Sequence, residues 1–194
     1  YGDSDRFEVG FEKPNNVYGF SKVMMDNITY EYLKKDLPIS IVGLKYFNVY
    51  GPKEFFKNKT ASMVVQFGHQ ILKGVTPKLF EGSDKILRDF IYIEDIIQAN
   101  IKACKPKKSG VYNVGTGNAR SFEDIVNILQ KELEIDNGKE YIPNPYVGSY
   151  QFFTEANILT TKKFLDYEPR FSLEDGIKAY IPEIKRLFAE EVKW

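Results

Sequence analysis

The first part of the chain places hydrophobic residues at helical spacing, at Val17, Phe20, Met24, Ile28 and Tyr32. Residues three or four positions apart lie on one face of an α-helix, so this pattern predicts a helix over residues 16–35. A proline and two asparagines at 14–16 favour its start, and Asp36 and Pro38 favour its end. The apolar, β-branched run that follows at 39–46 predicts a buried strand.

The remaining pattern alternates between short strands and longer helices. We expect further strands at 78–81, 88–93, 111–114 and 140–142. We expect a further helix that Thr60 or Ser62 caps and that ends near Lys73. Helices are also expected at 94–104, 121–133 and 172–190, the last of them kinked or split by Pro182. This alternation is typical of an α/β fold. The strand at 39–46 ends in a turn at Gly51-Pro52, and α/β sheets bind ligands where strands end in loops.

The composition argues against several classes of function. Lys plus Arg equals Asp plus Glu at 27 each, so no charge excess favours nucleic acid or an anionic membrane. No apolar run reaches the roughly 20 residues that span a bilayer, and we expect no signal peptide. The single Cys104 excludes an internal disulfide and indicates a reducing cytosol. With one histidine, His69, a histidine-rich metal site is not expected, and His69 is interpreted as structural.

Tyr18 and Lys22 are four residues apart on the first predicted helix, so the phenol and the ammonium lie on one face. A cation beside a phenol favours the phenolate and lowers a pKa that is normally about 10. The pair is therefore a candidate acid/base. A chance match is the alternative, because the same spacing recurs at Tyr30 and Lys34. We interpret the second match as accidental, since it lies in polar turns with no strand end beside it.

No glycine-rich Gly-x-Gly-x-x-Gly or Gly-x-x-Gly-x-x-Gly loop follows a predicted strand, and the triplet at 115–117 is too short to replace one. Such a loop binds the diphosphate of a dinucleotide. If Tyr18 works beside a nicotinamide, the nucleotide-binding half must precede Tyr1. The sequence is then the later part of an enzyme, and we expect this part alone to be inactive.

Five motifs follow one another in order along the chain. They are Tyr1-Gly2, Tyr18-x-x-x-Lys22, Tyr46-Phe47-Asn48-Val49-Tyr50-Gly51-Pro52, Arg88-Asp89-Phe90-Ile91-Tyr92 and Asn113-Val114-Gly115-Thr116-Gly117. Together they resemble the extended short-chain dehydrogenase/reductase superfamily, whose members epimerise, dehydrate or reduce nucleotide sugars. The resemblance implies the later half of a Rossmann-type parallel sheet with a smaller α/β substrate-binding domain. It places residues 1–52 in the Rossmann domain and residues 53–194 mainly in the substrate domain, with about 88–120 returning to the Rossmann domain.

Three further stretches narrow the resemblance. They are Gly51-Pro52-Lys53-Glu54 followed by Lys57 and Ala61-Ser62, Phe80-Glu81-Gly82-Ser83 before Arg88-Asp89-Phe90, and Tyr150-Gln151 leading to Phe153-Thr154. They are similar to the ADP-L-glycero-D-manno-heptose 6-epimerase family. This implies epimerisation of ADP-D-glycero-D-manno-heptose at heptose C6 by transient oxidation with bound NADP, or with NAD. It also implies a homo-oligomer in the bacterial cytoplasm that supplies heptose for the lipopolysaccharide core.

In that family the pattern makes Tyr18 and Lys57 two acid/bases on opposite sides of the sugar, and Lys22 orients the nicotinamide ribose and supports Tyr18. A lysine base must lose its charge, which burial or neighbouring cations such as Lys53 and Lys59 favour. The alternative for Lys57 is a solvated loop lysine.

The resemblance also implies ligand contacts. The cofactor contacts are Tyr18, Lys22, Tyr46, Asn48 and Val49. The substrate contacts are Asn48, Lys59, Gln66, Phe80, Glu81, Gly82, Ser83, Arg88 and Tyr150. Lys59 and Gln66 depart from the serine and the histidine expected at their positions, so substrate choice stays open.

Three of these contacts have a structural alternative. Arg88 is a natural diphosphate clamp, because guanidinium pairs with phosphate in bidentate fashion, or else it forms a surface ion pair with Asp84 or Asp89. Asn48 is otherwise a turn asparagine, and Tyr150 a packed loop residue. Two further functions also stay open: a UDP- or GDP-sugar epimerase, dehydratase or reductase, and a nucleotide-sugar binding module without turnover.

Overall fold

The computed structural model describes residues 14, 16–145 and 152–190 of the chain. In this part the helices are α1 (Val17–Leu33), α2 (Met63–Leu72), α3 (Ile93–Ala103), α4 (Phe122–Leu133), α5 (Leu159–Leu165) and α6 (Leu173–Ala189). The strands are β1 (Val42–Tyr46), β2 (Asn48–Tyr50), β3 (Lys78–Phe80), β4 (Leu87–Tyr92), β5 (Gly110–Val114), β6 (Ala119–Ser121), β7 (Glu140–Ile142) and β8 (Phe153–Thr154). None of these helices is long and apolar enough to cross a membrane.

The chain changes its strand partner at Phe47, the single residue between β1 and β2. β1 pairs in parallel with β5, and Tyr46 lies opposite Val114. β2 pairs in parallel with β4, and Asn48 lies opposite Phe90. Parallel strands joined through helices confirm the predicted α/β class. Open α/β sheets bind ligands at the carboxyl ends of strands, where the strand order changes.

Strand β4 is the centre of the fold. It pairs with β2 on one side, and its first residues also pair with β6 and β8, while β3 pairs separately with β7. Successive side chains of a strand point to opposite faces. Phe90 and Tyr92 therefore pack into one core with α2, α4 and α6, whereas Ile91 packs into a second core with β5, α3 and α5. The strand is buried on both faces, which explains the hydrophobic run of Phe90, Ile91 and Tyr92 at its end.

The carboxylate of Asp89, on β4, organises the loops behind the sheet. It is fully buried and accepts hydrogen bonds from Thr116 N at 2.8 Å, Thr116 Oγ1 at 2.7 Å, Gly117 N at 2.9 Å and Ala156 N at 3.1 Å. A Cβ on Gly115 would lie 2.5 Å from Ala156 Cβ, so the loop approaches too closely for a side chain. Two of the sequence motifs thus meet through one buried carboxylate, which stabilises the fold.

The last two long helices begin at capped serines. Ser121 Oγ accepts from Asp124 N at 2.9 Å and Asp124 Oδ2 accepts from Ser121 N at 2.9 Å, so α4 begins in a capping box. The predicted split at Pro182 is wrong, because α6 continues through it. Tyr180 and Ile184, on either side of the proline, are fully buried in the first core. Their burial offsets the one backbone hydrogen bond that a proline removes.

Other element boundaries also differ from the prediction. The strand predicted from residue 39 begins only at Val42, because Ile39 is 65% exposed and has no place in the sheet. Helix α3 begins at Ile93, one residue earlier than predicted. The sequence pattern did not predict β2, β6, β8 or α5, because two- and three-residue strands are too short to show a period of two, and the seven-residue α5 is shorter than the window that shows helical spacing.

Candidate active site

The helix that carries Tyr18 and Lys22 begins at a capped asparagine. Asn16 Oδ1 accepts a hydrogen bond of 2.8 Å from the backbone N–H of Gly19. Lys22 Nζ lies 4.9 Å from the centroid of the Tyr18 ring, within the range of a cation–π contact. Tyr18 is 65% exposed. The phenol and the ammonium are therefore adjacent and accessible to a ligand.

Both side chains line a cavity of about 710 Å³, the main cavity. Small-molecule sites in proteins typically have about 300–1,000 Å³. Its walls come from α1, from the junction of β1 and β2, from the loop at 51–62 and from the start of α2. It brings together the predicted site residues Tyr18, Lys22, Tyr46, Asn48, Val49 and Lys57.

The loop at 51–62, the Lys57 loop, connects β2 to α2. A Cβ on Gly51 would lie 2.5 Å from Ile93 Cγ2, so the loop leaves the sheet where only glycine fits. Lys53 has a φ of 70° and Asn58 a φ of 51°, which residues other than glycine rarely adopt. The loop therefore holds a strained backbone on both sides of Lys57.

Lys57 itself lies in a short 3₁₀ turn. Its backbone N–H donates to Glu54 O at 2.9 Å, and its carbonyl accepts from Thr60 Oγ1 at 2.7 Å. The side chain is exposed on the wall of the main cavity. We expected either burial or neighbouring cations to help Lys57 lose its charge. The expectation of burial is wrong for the described part of the chain, because the turn presents the Lys57 side chain on its open side.

A second, apolar recess of about 170 Å³ contains Phe80 and Ser83. Met63 and Phe122 line both this apolar recess and the main cavity, so the two spaces adjoin. Ser83 is 2% exposed, and its Oγ has no hydrogen-bond partner among the described residues. A buried hydroxyl left unpaired is unfavourable, and a ligand in the recess would satisfy it.

The remaining predicted contacts lie elsewhere. Glu81 and Gly82 are exposed in the turn before Ser83, with Gly82 at a φ of 76°. Lys59 and Gln66 line a separate polar recess of about 180 Å³, where Gln66 Nε2 donates to Ala61 O at 2.6 Å. The structure therefore does not bring these four residues into the main cavity.

Arg88 is buried in β4, and its Nη1 donates to the Leu87 carbonyl at 2.8 Å. It lines neither the main cavity nor the apolar recess. Its burial argues against the alternative of a solvent-exposed ion pair. Tyr150 lies outside the described residues.

Three charged residues that line the main cavity were not predicted as site residues from the sequence: Asp26, Lys45 and Glu54. Asp26 follows Lys22 by four residues and so continues the Tyr18–Lys22 face of α1, which was a readable signal. Lys45 stands in an otherwise apolar strand. Glu54 carries no periodic signal, because its partners are set by the path of the loop.

Two tyrosines behind the cavity are not candidates for acid/base chemistry. Burial raises the pKa of Tyr50, and the neighbouring Tyr92 raises it further. Burial also raises the pKa of Tyr180, and the nearby Glu54 carboxylate adds to the rise. Both phenols therefore stay protonated near neutral pH. Tyr18 and Tyr46 are the exposed tyrosines that line the main cavity, and the Tyr46 hydroxyl donates to Asn100 Oδ1 at 2.9 Å.

The arrangement fits the nicotinamide end of a dinucleotide. An accessible phenol and ammonium lie beside the carboxyl end of β1, where the sheet partner changes from β5 to β4. Tyr46, Asn48 and Val49 form the adjacent wall. Within residues 14, 16–145 and 152–190, no cluster of three or more His, Cys, Asp or Glu side chains could hold a metal ion.

Comparison with known proteins gives the chain its relatives. The model of the NAD dependent epimerase/dehydratase family matches residues 1–115. Among solved structures, the chain is similar to ADP-L-glycero-D-manno-heptose-6-epimerase of Helicobacter pylori, with 49% identity and a TM-score of 0.82 over 95% of this chain and 57% of that one.

Two sugar-nucleotide epimerases are more distant relatives. UDP-glucose 4-epimerase of Thermotoga maritima has 27% identity and a TM-score of 0.77 over 87% of this chain and 53% of its own. UDP-glucuronic acid 4-epimerase of Bacillus cereus was solved with UDP-glucuronic acid and NAD. It has 29% identity and a TM-score of 0.76 over 96% of this chain and 59% of its own. The chain thus spans little more than half the length of each relative.

Proposed function

Because this chain belongs to the NAD dependent epimerase/dehydratase family, we propose that it is the later part of an ADP-heptose 6-epimerase. The full-length enzyme would interconvert ADP-D-glycero-D-manno-heptose and ADP-L-glycero-D-manno-heptose. The observation that carries the proposal is that Tyr18, Lys22 and Lys57 line one cavity although they come from α1 and from the Lys57 loop. The similarity to the Helicobacter pylori enzyme supports the choice of substrate.

We propose that residues 1–52 complete a dinucleotide-binding domain and that residues 53–194 form most of a substrate domain, with about 88–120 returning to the first. Two observations support this division. β1 pairs with β5, and both contact the core of α3 and α5. Helices α2, α4 and α6 share the other core.

The chemistry requires a proton acceptor and a proton donor at the C6 oxygen. Bound NADP, or NAD, would supply a reversible acceptor for the C6 hydrogen and its electron pair. Tyr18 would take the hydroxyl proton of one epimer, and the adjacent Lys22 ammonium would stabilise the phenolate that this requires. The C6 oxygen then belongs to a planar ketone. When the ketone is reduced on its opposite face, the C6 oxygen must receive a proton from the other side of the sugar.

Lys57 would serve that second side. It would donate a proton to the C6 oxygen in one direction and accept it in the other, so each direction uses one residue as acid and the other as base. The two side chains reach the main cavity from different elements, which supports separate positions around the sugar. Lys22 would also hold the ribose of the nicotinamide, and the β1–β2 junction would form the wall beside it.

The apolar recess would hold the adenosine end of the substrate. Its wall adjoins the main cavity at Met63 and Phe122, which supports neighbouring positions for a nucleotide and its sugar. Phe80 would contact the base, and the unpaired Ser83 Oγ would hydrogen-bond to the nucleotide. We also propose NADP as the cofactor, a homo-oligomer and a bacterial cytoplasmic location for heptose supply to lipopolysaccharide, on the family resemblance.

The test uses the full-length enzyme, meaning this sequence preceded by the nucleotide-binding segment that the missing glycine loop predicts. Tyr18→Phe and Lys57→Ala are each expected to lower kcat for ADP-heptose by about 100- to 10,000-fold in both directions. Tyr30→Phe, from the second Tyr-x-x-x-Lys match, and Lys105→Ala, an exposed lysine, are matched controls that should retain activity. Normal epimerisation by Lys57→Ala in both directions would show that the two-base mechanism is wrong.

A second candidate is an epimerase of UDP-sugars, which the similarity to the two 4-epimerases favours. Such an enzyme shares Tyr18 and Lys22 and has no need of Lys57. Turnover of UDP-sugars but not ADP-heptose, with Lys57→Ala fully active, would support it. Binding of nucleotide sugars with no turnover of any of them would instead indicate a binding module.

A further inference from the structure

One buried carboxylate closes the Lys57 loop. Glu54 is 5% exposed, and its Oε1 accepts from Gly51 N at 3.3 Å and from Ser62 Oγ at 2.7 Å. Its Oε2 accepts from Ser62 N at 2.8 Å. Gly51 and Ser62 are the first and last residues of the loop, so a single side chain ties its two ends together.

Ser62 gives up its usual role to make this contact. It is the N-cap residue of α2, yet its side chain accepts no hydrogen bond from the helix backbone. Its hydroxyl donates to Glu54 instead. A serine at this position normally stabilises a helix by accepting from the first turn. The carboxylate lies at the N-terminus of α2, where the helix dipole favours a negative charge.

The Glu54 carboxylate also acts on a residue of α6. Burial raises the pKa of the Tyr180 phenol, and the nearby Glu54 carboxylate raises it further. Tyr180 belongs to the core of α2, α4 and α6. Glu54 therefore lies close to the helix layer that forms this core.

Two residues of the Lys57 loop have a strained backbone. Lys53 and Asn58 adopt backbone angles that are unfavourable for their residue types. A strained conformation persists only where surrounding contacts determine it. The direct backbone bond from Lys57 N to Glu54 O then transmits the position of Glu54 to Lys57.

We propose that Glu54 is a positioning residue that sets Lys57 against the substrate by clamping both ends of the Lys57 loop. The proposal rests on the proposed function, in which Lys57 is the second acid/base. We assign Glu54 to positioning because both its oxygens accept hydrogen bonds from the two ends of the loop.

The test compares Glu54→Gln, Ser62→Ala and Ser62→Thr in the full-length enzyme. Glu54→Gln replaces one carboxylate oxygen by an amide NH₂, which cannot accept from Gly51 N or from Ser62. A displacement of about 1 Å at a reacting group can cost about 100-fold. We therefore expect kcat to fall about 100-fold for Glu54→Gln with KM within about threefold. The kcat of Ser62→Ala should also fall. Ser62→Thr keeps the hydroxyl and should retain most of the kcat of the unchanged enzyme.

A double-mutant cycle with Lys57→Ala separates positioning from general stability. If Glu54 acts through Lys57, Glu54→Gln causes no further loss of kcat once Lys57 is alanine. Equal losses in both backgrounds, or full activity of Glu54→Gln, would overturn the proposal. Full activity of Lys57→Ala alone would instead overturn the proposed function, so the two failures are distinguishable. The thermal midpoint of each variant records any unfolding separately.

Discussion

Asp26 Oδ2, on α1, lies 3.4 Å from Lys45 Nζ on β1, and their side chains are only 14% and 4% exposed. The pair matters because α1 has no fully buried residue in the described part of the chain. Asp26 stands on the same helix face as Tyr18 and Lys22, one turn further on. The ion pair thus joins the helix that carries the candidate acid/base to the strand whose end lines the main cavity.

Asp26→Asn should destabilise the full-length enzyme by about 3 kcal/mol, because it removes the carboxylate that compensates a buried ammonium. It should also lower kcat, since α1 then loses its fixed relation to β1. Urea unfolding and turnover of the same preparation measure both effects. The matched control is Glu31→Ala, which removes the exposed α1 pair with Lys34.

Glu31→Ala should lower the free energy of unfolding by less than about 1 kcal/mol, because exposed ion pairs contribute little to stability. Equal losses of stability for Asp26→Asn and Glu31→Ala would show that burial of the Asp26 pair has no consequence. Unchanged kcat in a destabilised Asp26→Asn enzyme would separate stability from positioning of Tyr18.

The parts of the site that follow from local periodicity could be predicted, and those that depend on the path of the chain could not. Tyr18 and Lys22 face one way because a helix repeats every 3.6 residues, whatever the rest of the fold does. The clamp from Glu54 to Ser62 depends on the particular path of a strained loop, which has no period.

Long-range contacts show the same limit. Ser83 lines its recess together with Met63 and Phe122, which belong to other helices. Asp89 was interpreted as a possible surface partner of Arg88, whereas it is fully buried and binds a loop 27 residues further along the chain. Motif order identified the family, but tertiary contacts separate the residues that stabilise the fold from those that line the cavity.

Ser83→Ala should leave the free enzyme as stable as before, or slightly more stable, because it removes a buried hydroxyl that has no partner. If the hydroxyl binds the nucleotide, KM for ADP-heptose should rise about tenfold with kcat unchanged. Steady-state kinetics with thermal unfolding measure both effects. This pattern would show that the apolar recess binds the substrate away from the reacting carbon.

Thr154→Val is the matched control for that experiment. Thr154 is also a buried hydroxyl without a hydrogen-bond partner among the described residues, and it does not line the apolar recess. The variant keeps the shape of the side chain and should gain stability with no change in KM. A tenfold rise in KM for both variants, or for neither, would contradict the nucleotide contact at Ser83.

Arg120 makes the stability of the protein depend on pH on the acid side. Its Nε lies 3.2 Å from Asp124 Oδ2, and its Nη2 lies 2.9 Å from Glu174 Oε1. Burial alone would raise the pKa of Asp124, but hydrogen bonds from Arg120 and Ser121 outweigh it and lower the pKa. The hydrogen bond from Arg120 also lowers the pKa of Glu174.

Because both pKa values are lower in the folded state, the two carboxylates contribute stability above their ordinary values of about 4, and this stability is lost as pH falls below them. Arg120→Leu should therefore flatten the loss of stability between about pH 5 and pH 2. Urea midpoints over that range measure the slope. Lys131→Leu, on the same helix, is the control, and an unchanged slope for Arg120→Leu would contradict the linkage.

Asn58 provides a test of the strain in the Lys57 loop. Its φ of 51° and ψ of −127° are angles that glycine adopts at little cost. Asn58→Gly should therefore stabilise the full-length enzyme by about 1 kcal/mol, after the greater entropy of glycine in the unfolded chain is counted. Glu134, with a φ of 58° and a ψ of 34°, lies in the ordinary left-handed region, so Glu134→Gly should gain less.

The activity of Asn58→Gly distinguishes what holds Lys57 in place. If the clamp from Glu54 to both loop ends is sufficient, relief of the strain leaves kcat within about twofold, because no contact of Glu54 is lost. A large fall in kcat in a more stable enzyme would mean that the strained backbone at Asn58, and not the clamp, sets the position of Lys57. Urea unfolding and turnover measured on Asn58→Gly, alone and combined with Glu54→Gln, decide between these two causes.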